Sequence, residues 1–518
     1  MDFLDPRKQR AHMIRLLVGY MLIGVAVLIA TMILLYQAYG FGLGKDGEVI
    51  QKGLVFVSTS PASARIYLDG KLYKSNTNTK LQLAAGQYTM ELQRDGYNPW
   101  TRLLTVDGGG VQHFDYPKLF PTKVTSTAVK AYPAAPGFAT QSPDRRWVLV
   151  QQTAAPLSFD LFDVADPKKV TSSATVVTLP EAVVTDAKTG VHAWKLVEWS
   201  TDNRHIIAQH TYTSEAGTEA SEYVLIDRQT PENSLNLTKT LSLSAGKQLT
   251  LHDKKFDKYY VYDTVAKTVG TTSIDEAGKV TPLLDHVLAY KSYGADMVLY
   301  VSDQDSTTGI GLAPGKVVSM LLDNGQTYKI REHNAAGPFL IDIAEYDNNW
   351  YVAVGASSDD KVYIYKNLQR IRKASKTAAL VPVRILRITA PNQLQFSSNT
   401  EFVMVENGTN FASYDAETDK GYTYTSKYQV DMPATHAVWM DSHRITYVSA
   451  GKLAVFDYDN LNVQTIALAS PNYTPFFDRD YKYLYTLVPT AAPAGAVANA
   501  ATGGMTLTTS NLLAPADQ

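Results

Sequence analysis

Eight segments of the chain share one pattern, in which a polar turn next to an aromatic or small residue is followed by an apolar strand. A second strand follows each segment, and successive segments start roughly 40 to 60 residues apart. They begin at Thr140, Glu198, Leu251, Tyr290, Ala344, Gln395, Val438 and Pro475. A repeat of this length forms a small unit that must pack on its neighbours, so the pattern constrains the fold of the whole region.

A small antiparallel sheet cannot bury both of its faces alone, whereas sheets packed radially each gain a neighbour on either side. The repeat therefore predicts a β-propeller over residues 121–513 and an all-β fold for most of the chain. Two stacked β-sandwich domains are the alternative, since a sandwich also has short strands and frequent turns. Eight segments with one shared turn position favour the propeller.

The first two repeat turns carry a family resemblance. They read Ser-Pro-Asp-Arg-Arg from Ser142 and Ser-Thr-Asp-Asn-Arg from Ser200, and both resemble the Ser-Pro-Asp-Gly-Arg turn of TolB-like and related WD40-like propellers. The stretch from Val124 to Val129 is predicted to close the ring as the outer strand of the last blade, beside residues 505–513. This overlap favours eight blades over seven, and seven stays open because the segment from Leu251 is irregular.

Residues 53–120 alternate apolar and polar side chains between turns that contain Gly, which predicts a separate small β domain. Asp69-Gly70 joins two of the apolar runs as a tight hairpin turn does. Three short runs stand out, namely Ser60-Pro61-Ala62-Ser63-Ala64, Ala85-Gly86-Gln87-Tyr88 and Asp95-Gly96-Tyr97. They resemble the PEGA domain, a small β-sandwich of bacterial and archaeal surface proteins, although that family favours Glu and Gly where Ala62 and Ser63 stand. The resemblance implies an extracytoplasmic spacer or adhesion module without a catalytic role.

An uncharged run of about 21 residues, from Leu16 to Tyr36, spans roughly 30 Å as a helix and is long enough to cross a bilayer. Four basic residues precede it between Arg7 and Arg15, whereas the next charge after it is Lys45. The positive-inside rule therefore predicts a single-pass protein of the cell membrane with its N-terminus in the cytoplasm and its bulk outside. A cleaved signal peptide is the alternative, but its apolar stretch is typically shorter.

The predicted order is a cytoplasmic stub (1–15), a transmembrane helix (16–38), a spacer (39–52), the PEGA-like domain (53–120), the propeller (121–513) and a tail (514–518). The formal net charge of -2 provides no field that gathers phosphate backbones, so nucleic acid is not an expected partner. The absence of Cys excludes disulfides, thiolate metal sites and Cys nucleophiles.

Local motifs for catalysis or metal binding are absent from the sequence, which has no nucleophile elbow, no His-Glu-x-x-His and no phosphate-binding loop. His205 and His210 lie five residues apart, on opposite faces of a strand, and are interpreted as surface or turn residues. Among the acidic turns, which begin at Asp303, Tyr346, Ser357 and Asp457, Asp303 and Asp305 are the best metal candidates, but these turns lack the EF-hand spacing and are interpreted as solvated hairpin tips. The sequence predicts no catalytic residue, no cofactor site and no metal site.

Four Trp residues lie in or beside the repeat turns, at positions 147, 199, 350 and 439. Exposed aromatic side chains could grip a sugar or a protein, but their shared position in the repeat favours a structural role.

These features predict a non-enzymatic, membrane-anchored binding or scaffold protein, whose propeller binds a protein or a cell-envelope polysaccharide. The alternative is an extracytoplasmic propeller enzyme, a glycosidase or lyase, with acids contributed by different blades. Carboxylates that converge in the central funnel would favour the enzyme, whereas a mouth lined by aromatic and amide groups would favour binding.

Overall fold

The computed structural model describes residues 6–38, 40–43, 49–170, 174–185, 192–214, 217–276, 278–295, 297–304, 316–322, 324–368, 370, 380–431, 436–490 and 503–517. The chain forms two compact units. Unit 1 consists of the residues up to Lys123 together with the segment from Ala514 onward, and unit 2 consists of Val124–Leu513. The segment from Ala514, which is predicted to be a separate tail, thus groups with unit 1.

The N-terminal helix α1 (Pro6–Ala38) begins before the predicted membrane span at residue 16 and ends where that span was predicted to end. Pro suits the first turn of a helix, because the backbone N–H that it lacks would have no partner there. The Lys, Arg and Gln residues that follow are good helix formers, so the helix extends through the basic flank. The part from Gln9 to Tyr36 is long and apolar enough to cross a membrane, as a signal sequence would also be, and is not buried against the rest of the protein.

The remainder of unit 1 is a sandwich of two four-stranded sheets. One sheet contains β1 (Phe41–Leu43), β2 (Val49–Val57), β5 (Thr79–Ala84) and β8 (Val111–Phe114), with β8 parallel to β2. The other sheet contains β3 (Arg65–Leu68), β4 (Lys71–Leu72), β6 (Gly86–Gln93) and β7 (Trp100–Val106). The predicted small β-sandwich is therefore present, although its first strands begin within the predicted spacer.

The core of this sandwich follows from the alternation of side chains along its strands. In β7 the buried and exposed positions alternate without interruption, and the inward residues of both sheets form one cluster that includes Val55, Ile66, Leu81 and Met90. Strand β5 was not recognised in the sequence, because Leu81 and Leu83 are its two buried positions and a polar stretch precedes it.

Two turns of the sandwich depend on backbone conformations that favour Gly. Asp69 and Gly70 have φ values of 49° and 75° and connect the paired residues Leu68 and Lys71, which confirms the predicted tight hairpin. Ser63, at the position where the PEGA family favours Gly, has a φ of 65°. Its backbone N–H donates to the carbonyl of Thr77 at 2.9 Å, so a hydrogen bond holds the turn in this conformation.

Replacing Ser63 by Gly should stabilise unit 1 by about 1 kcal/mol, because an exposed L-residue in the left-handed region carries a conformational cost that Gly does not. The measurement is the free energy of unfolding of the detergent-solubilised chain in denaturant. Ala62→Gly is the matched control at the adjacent exposed position, where φ is not positive. It should destabilise the unit by about 0.5–1 kcal/mol, and equal effects of the two changes would contradict the argument.

Unit 2 contains eight four-stranded antiparallel sheets within its described residues, numbered here in chain order. Sheet 1 contains β10 (Ala139–Gln141), β11 (Trp147–Gln151), β12 (Ser158–Asp163) and β13 (Thr175–Thr178); sheet 2 contains β14 (Ala193–Trp199), β15 (His205–Thr213), β16 (Glu219–Asp227) and β17 (Leu235–Asn236). Sheet 3 contains β18 (Lys247–His252), β19 (Lys255–Asp263), β20 (Thr268–Ser273) and β21 (Thr281–Leu284); sheet 4 contains β22 (Val287–Tyr293), β23 (Met297–Ser302), β24 (Val317–Leu321) and β25 (Thr327–Glu332).

Sheet 5 contains β26 (Phe339–Tyr346), β27 (Asn349–Ala356), β28 (Lys361–Lys366) and β29 (Arg384–Arg387); sheet 6 contains β30 (Gln393–Phe396), β31 (Phe402–Glu406), β32 (Asn410–Asp415) and β33 (Lys420–Thr425). Sheet 7 contains β34 (Val438–Trp439), β35 (Arg444–Ser449), β36 (Lys452–Asp457) and β37 (Gln464–Leu468); sheet 8 contains β38 (Phe476–Phe477), β39 (Tyr483–Pro489), β40 (Met505–Asn511) and β9 (Thr125–Tyr132). Two short helices, α2 (Pro167–Val170) and α3 (Leu237–Thr240), lie between strands.

Neighbouring sheets pack on one another around a closed circuit. Separate apolar clusters join sheets 1 and 2, 2 and 3, 3 and 4, 4 and 5, 5 and 6, and 6 and 7. Sheets 7 and 8 are linked by hydrogen bonds, such as the one from Thr486 Oγ1 to the Leu468 carbonyl at 2.9 Å. A further cluster, which includes Tyr485 of sheet 8 and Val150 of sheet 1, completes the circuit. This arrangement is a β-propeller.

The predicted closure of the ring is confirmed. Strand β9, from the start of unit 2, pairs antiparallel with β40 from its end, with Thr125 opposite Asn511 and Tyr132 opposite Met505. Because the last sheet is built from both ends of unit 2, opening the ring requires breaking a full ladder of backbone hydrogen bonds.

Sheets 1, 2, 6 and 8 share one turn between their first two strands. In each, the fourth residue of the turn has a positive φ, and these residues are Arg145, Asn203, Thr400 and Tyr481. The backbone N–H of this residue donates to the carbonyl three positions earlier, for example from Arg145 to Ser142 at 2.9 Å. Gly adopts a positive φ at the lowest steric cost, yet none of these four positions is Gly.

Candidate functional site

A cavity of about 350 Å³ lies where several first strands of the propeller sheets meet. Residues of β10, β34 and β38 line it together with Leu196 of β14. These strands belong to sheets 1, 7, 8 and 2, and sheets 2 and 7 are not neighbours in the circuit. Side chains from non-neighbouring sheets can meet only near the axis of a ring, so the cavity lies at the centre of the propeller.

Arg145 reaches across the ring closure from the repeat turn of sheet 1. Its Nη2 donates to the Met440 carbonyl at 2.8 Å, and its guanidinium lies 4.4 Å from the centre of the Tyr481 ring. Burial raises the pKa of Tyr481 to about 12, although Arg145 acts in the opposite direction. Arg145 therefore joins sheet 1 to sheets 8 and 7 at the edge of the cavity, and the positive φ of the turn directs its backbone there.

Gln141 makes a second link across the closure. Its Nε2 donates to the Phe477 carbonyl at 2.8 Å and to the Arg145 carbonyl at 3.2 Å. The wall of the cavity is thus held by polar contacts between sheets 1, 7 and 8.

The chemistry of the wall is polar but almost free of charge. Among the described residues that line the cavity, Arg145 is the one ionisable side chain, and none is Asp, Glu or His. The polar part consists of Thr140, Gln141, Ser142, Thr446 and Thr474, and the apolar and aromatic part includes Trp439, Phe476 and Phe477. Hydroxyl, amide and aromatic groups recognise ligands by hydrogen bonding and packing.

The four repeat Trp residues pack between neighbouring sheets, as their position in the repeat predicts. Trp199 is 5% exposed and donates to Thr140 Oγ1 at 2.9 Å. Trp439 donates to the Gln395 carbonyl at 3.2 Å and also lines the cavity. Trp147 lies beneath the guanidinium of Arg228 at 4.2 Å, and Trp350 meets the ring of Tyr293 edge-on at 4.8 Å.

The interpretation of His205 and His210 as surface or turn residues was wrong. Both lie in β15 and are buried, and His210 is fully enclosed. His210 Nδ1 is 3.0 Å from Glu222 Oε1, its partner across the strand pair, and His210 Nε2 is 2.9 Å from His192 Nδ1. Although burial acts to raise the pKa of Glu222, hydrogen bonds from His210 and Thr185 lower it below its usual range.

The acidic turns give a mixed result. Asp347 and Asn348 form the two-residue tip between β26 and β27, with φ values of 47° and 56°, as interpreted from the sequence. Asp303 is held by Lys267 Nζ at 2.7 Å and His286 Nδ1 at 3.1 Å, while Asp305 lies outside the described residues. Within the described part of the chain, no group of three or more His, Asp or Glu side chains is arranged to hold a metal ion.

An acidic cluster with the buried members Glu401 and Asp415 lies outside the lining of the cavity and was missed in the sequence. Glu401, the last residue of the sheet 6 repeat turn, is 9% exposed and accepts a hydrogen bond from Asn399 at 2.7 Å. Burial, together with the nearby carboxylates of Asp415 and Glu417, raises the pKa of Glu401 to about 7, although the hydrogen bond from Asn399 acts in the opposite direction. The only sequence signal was an acidic residue directly before the apolar strand that begins at Phe402, which does not reveal burial.

Comparison with known proteins identifies one domain. Residues 52–119 match the PEGA domain, and they contain both sheets of the sandwich except for β1 and the start of β2. Among curated proteins, none matches the sequence of this chain.

Solved structures resemble the chain at low sequence identity. The dihydro-heme d1 dehydrogenase NirN is 13% identical with a TM-score of 0.40, covering 65% of this chain and 66% of that chain. AztD from Citrobacter koseri is 10% identical with a TM-score of 0.37, covering 79% and 96%. Dipeptidyl peptidase 4 of Porphyromonas gingivalis is 10% identical with a TM-score of 0.43, covering 69% and 57%. All three TM-scores are below 0.5.

The chain therefore combines an apolar N-terminal helix, a segment that matches the PEGA domain and a β-propeller with a central cavity.

Proposed function

We propose that this protein is a membrane-anchored, extracytoplasmic binding or scaffold protein, and that the central cavity of its propeller binds a protein or a cell-envelope glycan. The observation that carries the proposal is the wall of that cavity, which offers hydroxyl, amide and aromatic groups and no carboxylate among its described residues. A volume of about 350 Å³ lies within the range of pockets that bind small ligands or the end of a larger one.

The alternative of a propeller glycosidase or lyase receives no support from the cavity. Retaining and inverting glycosidases place two carboxyl groups about 5 to 10 Å apart around the scissile bond. The acidic pair Glu401 and Glu417 lines no part of the cavity.

The proposed propeller type and orientation rest on local features. The shared turn of sheets 1, 2, 6 and 8, with its residue of positive φ, supports a TolB-like or WD40-like propeller, and the eight sheets support eight blades. The basic residues before α1 support a cytoplasmic N-terminus. Protease added to intact cells should then degrade the propeller, and its survival until lysis would contradict the orientation.

Blocking the cavity should abolish binding without unfolding the propeller. Leu196 and Thr474 lie on the cavity wall and are exposed, so Leu196→Trp or Thr474→Arg fills the space with little strain in the core. The test is affinity capture from cell-envelope extracts, with and without glycan digestion, by the full chain in detergent. Capture should fall at least about tenfold in either variant.

Val176→Trp is the matched control, because Val176 is 53% exposed on β13, the outermost strand of sheet 1. The Val176→Trp variant should capture the ligand from the extract as well as the original chain does. Equal capture by all variants would place binding elsewhere, and turnover of a polysaccharide panel that the cavity variants lose would favour the enzyme.

A further inference from the structure

The chain leaves unit 1 after Lys123, forms the whole of unit 2, and returns to unit 1 at Ala514. The returning segment ends in a short 3-10 turn, Pro515–Asp517. Ala514 is 2% exposed and belongs to the same apolar core as Leu92 and Trp100 of the sandwich. A segment more than four hundred residues downstream of Leu92 and Trp100 in sequence thus completes this core.

Polar contacts hold the segment at Tyr97. The backbone N–H of Ala514 donates to Tyr97 Oη at 2.8 Å, and Tyr97 Oη donates to Asp517 Oδ2 at 2.6 Å. Arg94 Nη2 donates to Asp517 Oδ1, and Arg94 Nη1 donates to the carbonyl of Ala62. Tyr97 Oη therefore accepts one hydrogen bond and donates another. Arg94 supplies the positive charge that pairs with the carboxylate of Asp517.

The shape of the site selects a small residue. Gly96 has a φ of 84°, and a Cβ added there would lie 3.0 Å from the Cβ of Ala514. A larger side chain at position 514 would have to displace the same backbone. Burial and the hydrogen bond to Asp517 raise the pKa of Tyr97 to about 12, while Tyr97 and Arg94 hold the pKa of Asp517 below its usual range. At neutral pH the hydroxyl of Tyr97 thus keeps its proton and can donate, and the carboxylate of Asp517 stays ionised and can accept.

We propose that Arg94, Gly96 and Tyr97 form a recognition site for a short segment with a small apolar residue three positions before a carboxylate, and that Ala514–Asp517 is its resident occupant. The occupant is held by one buried methyl group and a few hydrogen bonds, one of them charge-assisted. Contacts of this number allow the same segment, supplied as a separate peptide, to bind once the resident copy has been removed.

The test uses a variant that lacks residues 514–518 and a fluorescent peptide of residues 512–518, blocked at both ends. Fluorescence anisotropy should show binding of the peptide to the truncated chain and none to the full chain, whose site is occupied. The same peptide with Asp517→Asn should bind at least about tenfold more weakly, because a charge-assisted contact is lost. Failure of a truncated chain to bind the peptide, with hydrogen exchange showing strands β2–β8 still protected, would overturn the proposal.

A second measurement in the full chain covers the case in which truncation unfolds unit 1. Tyr97→Phe and Arg94→Gln should each increase the hydrogen-exchange rate of the Ala514 amide by about tenfold or more. Asp95→Asn is the control, because the Asp95 side chain is 90% exposed and pairs with Arg65 at 2.5 Å. Unchanged exchange at Ala514 in both site variants would overturn the proposal independently of ligand binding by the propeller.

Discussion

Replacing Glu401 by Gln should raise the free energy of unfolding at pH 8 by about 3 kcal/mol, and should change it little at pH 4. The reason is burial: the folded pKa of Glu401 is about 7, whereas the ordinary value of the group is 4.5. Gln keeps the shape of the protonated acid and can donate a hydrogen bond to Glu417, but it carries no charge to desolvate.

The direction with pH follows from proton binding. Between about pH 4.5 and 7 the unfolded chain has lost the Glu401 proton while the folded chain keeps it, so stability falls as pH rises through this window. Below the window both states are protonated and the group has no effect. The free energy of unfolding of the Glu401→Gln variant should therefore lack the decrease that Glu401 causes between about pH 4.5 and 7.

Other ionisable groups face Glu401, so the informative quantity is the difference in the free energy of unfolding between the original chain and the variant. His443 Nε2 lies 3.7 Å from Glu401 Oε2, and Asp415, Glu417 and Tyr346 complete its surroundings. Denaturant unfolding of the solubilised chain at several pH values measures the difference. Glu219→Gln, at an exposed position, should shift stability by less than about 0.5 kcal/mol. A constant difference across pH would show that Glu401 does not retain its proton.

Replacing Lys130 by Met should destabilise unit 2 by about 3 kcal/mol, because it leaves a buried carboxylate without its counter-charge. Lys130 lies on the closing strand β9, and its Nζ is 2.7 Å from Oδ2 of Asp160 in sheet 1. Asp160 is fully buried and its other oxygen accepts from Gln152 at 2.7 Å. The pair thus joins the last sheet to the first at the ring closure.

A double-mutant cycle separates this pair from general effects on packing. Adding Asp160→Asn to Lys130→Met removes the uncompensated charge and should recover a large part of the loss. Lys195→Met, at an exposed position on β14, should change the free energy of unfolding by less than about 0.5 kcal/mol. An equally small effect of Lys130→Met would contradict a role for this contact in closing the ring.

Most of the architecture could be predicted because it depends on local patterns. Alternation along each strand and the spacing of the repeat segments predicted the propeller, and the overlap of Val124–Val129 with the last blade predicted its closure. Strand β5 escaped prediction because it has few apolar positions. The surroundings of the acidic and basic residues were harder to predict, because the burial of Glu401, His210 or Asp160 depends on neighbours in other strands.

The amino-acid sequence alone determined the features that depend on residues close together in the chain. These features are an apolar helix that water does not solvate well, strands with one face to bury, and turns with fixed backbone angles. Only the tertiary structure decided which distant residues meet. Arg145 reaches Met440, and Tyr97 holds Asp517, because closure of the ring and return of the chain to unit 1 bring them together. Such contacts leave no periodic trace, since their spacing is set by the intervening fold and not by the pitch of a helix or strand.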